Sequence, residues 1–367
     1  MKNHWFIVDA HLDIAYNAIG WGRDYSRSAR ETRDHEAQTN SPAIQGNGNC
    51  SAGLPDFIAG GVGIVFGTLF VAPQAGGMSV GPLTYRNADE AHELGMKQLD
   101  YYHEWAKRDP RVRVIGARQD LEAVVSAWQS ANEASANPAL QVGVVPLMEG
   151  ADPIRAPEEL SLWVERGLRA VGLAWTGTRY SGGTRAPGGL TDLGRALIQE
   201  IARLDVLLDV SHMAPQAVDE TLDLFEGRFI IASHSNAQHY LPTERHLTDA
   251  AIKGIAQRGG VIGTVLANGF LLDGWGREGM RNKNDVTLEH VTRAIDYVCQ
   301  LTGSHAHAGI GSDFDGGFGV EAIPAEFDSS RDLCKIGDAL LGKGYTEAQV
   351  ADIMGGNWLR ILRAALK

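Results

Sequence analysis

Short apolar, β-rich runs recur along this chain and alternate with longer amphipathic stretches, and that alternation limits the fold more than any other feature. The runs are Trp5–Val8, Val62–Val71, Val142–Met148, Ala170–Trp175, Val206–Val210, Phe229–Ala232, Gly260–Leu266 and Ala308–Gly311. Between them lie helical patterns at Ala88–Lys107, Thr191–Leu204, Pro215–Phe225, Thr248–Gln257 and Thr287–Leu301, where apolar residues return every turn. Thr191, Thr248 and Thr287 precede three of these helices, where a side-chain oxygen can accept an orphan amide N–H. Continuous apolar runs imply strands buried on both faces, and strands separated by helices pair in parallel. Roughly eight such strands suit a closed barrel; an open doubly wound sheet is the alternative. The expectation is an α/β chain folded as one (β/α)8 (TIM) barrel over residues 1–367.

Two stretches break the alternation. Residues 22–51 are polar and charged, without a clear period, and read as a βα loop or a flap inserted over the mouth of the barrel. Asn268–Asn284 is Gly-rich and reads as a second loop near the mouth, while Arg111–Ile115 reads as a short extra strand.

The formal charge is -12, from 33 basic and 45 acidic residues, which argues against nucleic acid or an anionic membrane surface as the main partner. Cys50, Cys299 and Cys334 are few, odd in number and far apart, so neither a disulfide framework nor a paired-cysteine metal site is indicated. The opening MKNHWFIVDA has no long apolar core of a leader, and no stretch approaches the ~18 apolar residues of a membrane span. The simplest address is the cytoplasm.

The chemistry lies where the runs stop. The first ends in Asp9-Ala10-His11-Leu12-Asp13, the third in Met148-Glu149-Gly150, the fifth in Asp209-Val210-Ser211-His212, the sixth in Ser233-His234-Ser235 and the eighth in Gly311-Ser312-Asp313-Phe314-Asp315-Gly316. In a parallel barrel all those ends meet at one face, where barrel enzymes keep their catalytic groups. His11 and Asp13 are two apart, so in an extended segment both point the same way. Imidazoles and carboxylates without thiolates suit Zn²⁺ or a similar divalent ion. Glu149 has two oxygens with which to bridge two ions, His212 and His234 can hold the second, and Asp313 can move a proton.

Each residue taken singly has an ordinary structural explanation: a helix cap, a turn residue, a satisfied core histidine. Asp9 and Asp209 could orient a ligand imidazole through its second nitrogen, or could be buried acids bonded to backbone amides. His239 and His246 lie near the site in sequence and are candidates for a supporting role; His307 is at the wrong end of its strand. His4, His35, His92, His103, His290 and His305 are expected to be solvated.

These motifs together resemble the renal (membrane) dipeptidase family of metallopeptidases over nearly the whole chain. The likeness rests on VDAHLD from Val8, MEG from Met148, DVSH from Asp209, SHS from Ser233, GSDFDG from Gly311 and GGNWLRIL from Gly355, in matching order and spacing. It implies a (β/α)8 barrel with two zinc ions: His11 and Asp13 on one, Glu149 bridging, His212 and His234 on the other, and Asp313 as the acid–base group. It also implies that Arg245, in Thr243-Glu244-Arg245-His246, grips the substrate carboxylate, which suits a planar guanidinium fork.

The chain departs from the family pattern in places. Leu12 replaces the usual Asn between the first two ligands. Trp175, in Leu173-Ala174-Trp175-Thr176, stands where mammalian members have a histidine that contacts the substrate carbonyl or oxyanion, and indole cannot carry charge at neutral pH. The family's secretion signal, lipid anchor and inter-chain disulfide have no visible counterpart. The expected activity is zinc-dependent hydrolysis of a dipeptide with a free carboxylate, by metal-activated water, and the resemblance also admits a homodimer. The rivals are a same-fold hydrolase of another small amide, lactone, phosphoester or D-amino-acid derivative, and a non-catalytic barrel that binds metal or peptide.

Overall fold

The computed structural model describes residues 5–74, 81–133, 140–277 and 282–367. Eight parallel strands form a ring: β1 (Ile7–Leu12), β2 (Val62–Phe70), β3 (Val142–Glu149), β4 (Ala170–Gly172), β5 (Leu207–Asp209), β6 (Ile230–Ile231), β7 (Ile262–Thr264) and β8 (Ala308–Ile310). Pairing runs β6-β5-β4-β3-β2-β1-β8-β7. A parallel bridge from Ala232 to Ile262 joins the two ends, with the Gly263 N–H donating to the Ala232 carbonyl at 2.8 Å. That bridge excludes an open sheet, and the expected (β/α)8 barrel is the observed fold. The short strand expected near residue 112 is present as Val112–Val114, paired with the first half of β3. It sits below β4, which pairs only with Leu147–Glu149 of β3.

β1, β2 and β3 are buried along their whole length, as strands enclosed on both faces must be. The helices Ala88–Arg108, Asp192–Arg203, Pro215–Leu224, Asp249–Gln257 and Leu288–Thr302 stand where the apolar period predicts them. The Thr191 and Thr248 hydroxyls accept the Gly194 and Ala251 amides, each at 3.1 Å, so these two expected caps are made, whereas at Thr287 the backbone amide donates to His290 Nδ1 at 3.2 Å. The GGNWLRIL motif closes the lower end of β8: Asn357 Nδ2 donates to the Ala308 carbonyl at 2.8 Å and Trp358 Nε1 to that of Ile310 at 3.1 Å.

β1 is displaced from its expected span. It begins at Ile7 and runs through His11 to Leu12, with an irregularity in its pairing to β2 between Asp9 and Leu12. The apolar run alone placed the strand too early, because it stops where the buried polar residues start.

The segment 22–51 carries structure its composition concealed: helices at Ala29–Thr39 and Ala43–Asn47. The buried stripe of the first is Ala29, Thr32 and Glu36. The period is helical but its residues are small or polar, so a search for apolar periodicity passes over it. The readable signal was Ser28 with Glu31, which form a capping box. The segment is tied down through Asp315, just past β8. Its carboxylate accepts from Tyr25 Oη at 2.8 Å and from the Ser51 amide at 2.7 Å. Arg23, paired with Glu36 at 2.9 Å, lies 3.4 Å from it. Asn268–Asn284 contains a short helix at Asn268–Leu271 and enters a 3-10 helix at Lys283–Asp285; residues 278–281 and His4 lie outside the described residues.

Two glycines decide how the mouth is filled. A Cβ on Gly263 would stand 1.9 Å from the Ser233 carbonyl oxygen, and one on Gly311 1.8 Å from it. β7 and β8 therefore admit the backbone that follows β6 only because they are bare at these positions. Gly311→Ala should lower the urea or thermal unfolding midpoint by the equivalent of about 1–3 kcal/mol or more. An unchanged midpoint would show that the barrel relaxes around the added methyl.

Candidate metal centre

Parallel strands put every C-terminal end at the same mouth, and the six acidic and histidine residues expected to act together converge there. His11 is the fifth residue of β1 and Asp13 follows the strand; Glu149 ends β3; His212, His234 and Asp313 each lie three residues past β5, β6 and β8. All are buried or nearly so.

Glu149 stands at the centre. Its Oε2 is 3.4 Å from His11 Nε2. Its Oε1 is 3.1 Å from His212 Nε2 and 3.4 Å from His234 Nε2. His11 Nε2 also lies 4.0 Å from Asp13 Oδ1 and 3.9 Å from Asp313 Oδ1. Among the described residues, two groups have ligand atoms close enough to share an ion, His11/Glu149/His234 and His11/Asp13/Asp313. His11 Nε2 has no hydrogen-bond partner although fully buried, an orphan that a metal would satisfy. The residues present therefore fit a centre of nitrogen and oxygen donors.

Each donor is held by a second group. Asp13 occupies the N-cap position of the Ile14–Trp21 helix but makes no side-chain cap bond. Thr68 Oγ1 of β2 donates to it instead, and Asn17 Nδ2 fixes its carbonyl at 2.8 Å. Thr184 Oγ1, from a hairpin beyond β4, meets His212 Nδ1 at 3.0 Å. Ser233 Oγ meets His234 Nδ1 at 2.8 Å and His11 Nδ1 at 3.3 Å. Asp313 is fixed by its own amide, which donates to the His11 carbonyl at 3.2 Å. A Cβ on Gly316 would lie 1.9 Å from its Oδ1, so that glycine makes the space its carboxylate uses. His212, Asp313 and Asp315 have φ of 65°, 61° and 62°. Such left-handed backbone costs non-glycine residues about 1–3 kcal/mol each and clusters at functional sites.

The electrostatics follow from burial of like charges. Burial drives Asp313 well above the ordinary carboxylate range, with Asp13 and Glu149 adding to the effect. Asp13 is raised to about 7 by burial and Glu149. Burial also opposes ionisation of Glu149, but the surrounding imidazoles, His11 foremost, hold it well below its usual value. His212, lowered to about 4, and His234 are kept neutral mainly by burial, the state in which imidazole binds metal. For His11 burial is outweighed by the carboxylates of Glu149, Asp313 and Asp13, which raise it to about 9. A cage that retains a proton so firmly is one that attracts a cation.

The cavity above has a volume of ≈ 540 Å³ and reaches Asp13, Glu149, His212 and Asp313 at its floor. Trp175 forms part of its wall, packed edge-on to Phe70 with centroids 5.1 Å apart and 6.3 Å from the His212 ring. Arg245 also lines it, its guanidinium over Phe270 at 5.3 Å. Arg245 is buried, donating to Ser235 Oγ at 3.0 Å and to the His234 carbonyl at 2.8 Å, while its Nε has no partner.

The supporting residues were less legible. Asp209 does not touch an imidazole; it accepts from the Ser211 and Ser233 amides and from Ser233 Oγ. Asp9 likewise accepts from the Ser312 amide at 2.7 Å and its hydroxyl at 2.5 Å. His246 is buried behind Arg245 with its ring 5.2 Å from that of Phe270, whereas His239 is exposed and stacks on Tyr297. Thr68 and Thr184 are not legible in the sequence, because nothing around them distinguishes a supporting hydroxyl from any other threonine.

A closed parallel barrel with imidazoles and carboxylates gathered at the C-terminal ends of its strands has the form of a metal-dependent hydrolase. Comparison with known proteins narrows this class. A family model for membrane dipeptidases, peptidase family M19, matches residues 1–367, so the chain belongs to that family and is an enzyme of the metallo-dipeptidase class. An uncharacterized Klebsiella pneumoniae protein from the pqqA 5′ region is 32% identical over 214 residues, spanning 56% of this chain and 75% of its own. An uncharacterized dipeptidase of Schizosaccharomyces pombe is 26% identical over 179 residues, 49% of this chain and 41% of its own. Among solved structures, the M19 metallo peptidase called dipeptidase AC superposes with a TM-score of 0.75 at 24% identity, covering 99% of both chains. A Rhodobacter sphaeroides metallo peptidase, liganded with a phosphinate mimic of L-Ala-D-Ala, gives 0.74 at 24% identity over 98% of this chain and 99% of its own. Both likenesses bear on the fold.

The buried Asp9 generates a pH prediction. Burial raises it from 3.8 to about 6, so between those values the folded chain keeps a proton that the unfolded chain loses. Its contribution to stability is therefore present below pH 3.8 and lost as pH rises through about 6. Asp9→Asn should remove that slope, so that across this window the variant gains on the parent by about 3 kcal/mol in urea titrations. Parallel pH curves for the two proteins would contradict it.

Proposed function

We propose that the protein is a zinc-dependent dipeptidase using two ions, one held by His11 and Asp13, the other by His212 and His234, with Glu149 between them. The observation that carries this reading is the placement of Glu149, which presents one oxygen to His11 and the other to His212 and His234. Bound there, the ions would polarise the scissile carbonyl and acidify the attacking water.

The remaining steps belong to the chain itself. Asp313 is buried, close to His11 and disposed by burial to carry a proton. It takes the proton of the attacking water and delivers it to the departing amine. Arg245 receives the substrate carboxylate: it lines the cavity with its planar fork held by Ser235 Oγ and the His234 carbonyl, which sets the register of the peptide bond over the floor. Trp175 and Phe70 supply an apolar wall that keeps bulk water from the reacting groups. With tryptophan where mammalian relatives have histidine, no imidazole at this position supports the oxyanion.

The test is hydrolysis of a panel of L,L- and L,D-dipeptides, with metal content measured on the same sample and a chelated control. Chelator-sensitive turnover with about two metal ions per chain is the expected result. Two ions without dipeptide turnover would move the substrate to another small amide, a lactone or a D-amino-acid derivative, and no ion even with added zinc would remove the centre. Asp313→Asn should leave metal content near normal and cut turnover by roughly 10²–10⁴-fold; near-normal turnover would take Asp313 out of its role.

A further inference from the structure

One hydroxyl lies behind both halves of the centre. Ser233 Oγ donates to Asp209 Oδ2 at 2.5 Å. It stands 2.8 Å from His234 Nδ1 and 3.3 Å from His11 Nδ1, and all four residues are buried. A hydroxyl has one hydrogen and two lone pairs, while an ionised carboxylate only accepts. The other oxygen of Asp209 already accepts the Ser211 amide at 3.0 Å and the Ser233 amide at 2.9 Å. The Ser233 hydrogen is therefore committed to Asp209, and its lone pairs face the two rings. Ser211 Oγ, 3.3 Å from the same hydroxyl, accepts the His234 amide at 3.1 Å and completes the knot.

We propose that Ser233, oriented by Asp209, is a shared positioning residue for both metal positions: by accepting the Nδ1–H of His11 and of His234 it turns both Nε2 lone pairs toward Glu149. The geometry agrees from the far side, since both Nε2 atoms lie 3.4 Å from that carboxylate and the rings stack with centroids 3.5 Å apart. Metal-binding imidazoles commonly give their second N–H to an outer acceptor. Here one acceptor serves ligands assigned to two different ions. The bare Gly263 and Gly311, which leave room for the Ser233 carbonyl, set the depth at which that acceptor sits. His212 depends on a separate hydroxyl, Thr184 Oγ1 at 3.0 Å from its Nδ1. This inference rests on the two-ion reading.

Its consequence is a pattern of affinities. Apo-protein titrated with Zn²⁺ against a chromophoric chelator should show Ser233→Ala weakened at both positions by about 10–100-fold. Thr184→Val should be weakened at the His212 position alone. Asp209→Asn keeps the shape of the knot but offers an amide N–H to Ser233, pushing the hydroxyl hydrogen toward the rings, and should also weaken both. ¹⁵N spectra of the zinc-loaded parent should show hydrogen-bonded Nδ1–H signals for His11 and His234, both lost in Ser233→Ala. Circular dichroism of each apo variant checks folding, and if Ser233→Ala does not fold, Asp209→Asn decides on the same criterion. Parental affinity at both positions in a folded variant, or loss confined to one, would overturn the shared role while leaving the two-ion reading intact. A parent that binds no zinc would sink that reading, and the inference with it.

Discussion

Asp13, Glu149 and Asp313 are three carboxylates enclosed at the mouth of a packed barrel, gathered around His11. Removing like charges from water is costly, and the cost falls only if a cation or a proton joins them. Burial and like charge express that need: Asp13 and Asp313 move toward their protonated forms, and the carboxylates raise His11 to about 9. A divalent cation would answer the same need with more charge. His212 and His234, kept neutral by burial, offer uncharged nitrogen donors beside this acidic cluster.

The scaffold is arranged to hold that cluster in place. Closure of the ring by the bridge from Ala232 to Ile262 brings the end of β6 between β5 and β7. Gly263 and Gly311 let the following backbone enter the mouth. Asp315 fastens the helices of residues 22–51 to the loop that carries Asp313, while Asn17 Nδ2 joins the carbonyls of Asp13 and Asp315 at 2.8 and 2.9 Å. The left-handed residues His212, Asp313 and Asp315 cost stability. The dense hydrogen bonding around them offsets it, a balance expected at a working site rather than in an ordinary loop.

Aromatic side chains stand beside the donors at this mouth. Trp175 packs between Phe70 and His212, and Arg185 and Glu244 line the same cavity. Membership of the family defines the reaction class, and Trp175, Phe70 and Phe270 line the cavity above the donors.

How much could be read from the chain alone differs from element to element. The strand–helix alternation, and acids and histidines falling where apolar runs stop, pointed to a barrel with one functional face. Order and spacing of the HLD, MEG, DVSH, SHS and GSDFDG segments pointed to the family, because those patterns are short-range properties of the chain. The helix at Ala29–Thr39 was not legible from apolar periodicity, since its buried stripe is Ala29, Thr32 and Glu36, nor was the true span of β1. Nor was the role of Ser233, whose hydroxyl meets residues 24 positions before and 222 positions before it. Sequence by itself determined which residue types arrive at the mouth, because strand direction and period are local. Only the tertiary structure decided which nitrogen faces which carboxylate and which hydroxyl stands behind each ring, because those contacts join distant segments across a closed barrel and exist only once it has closed.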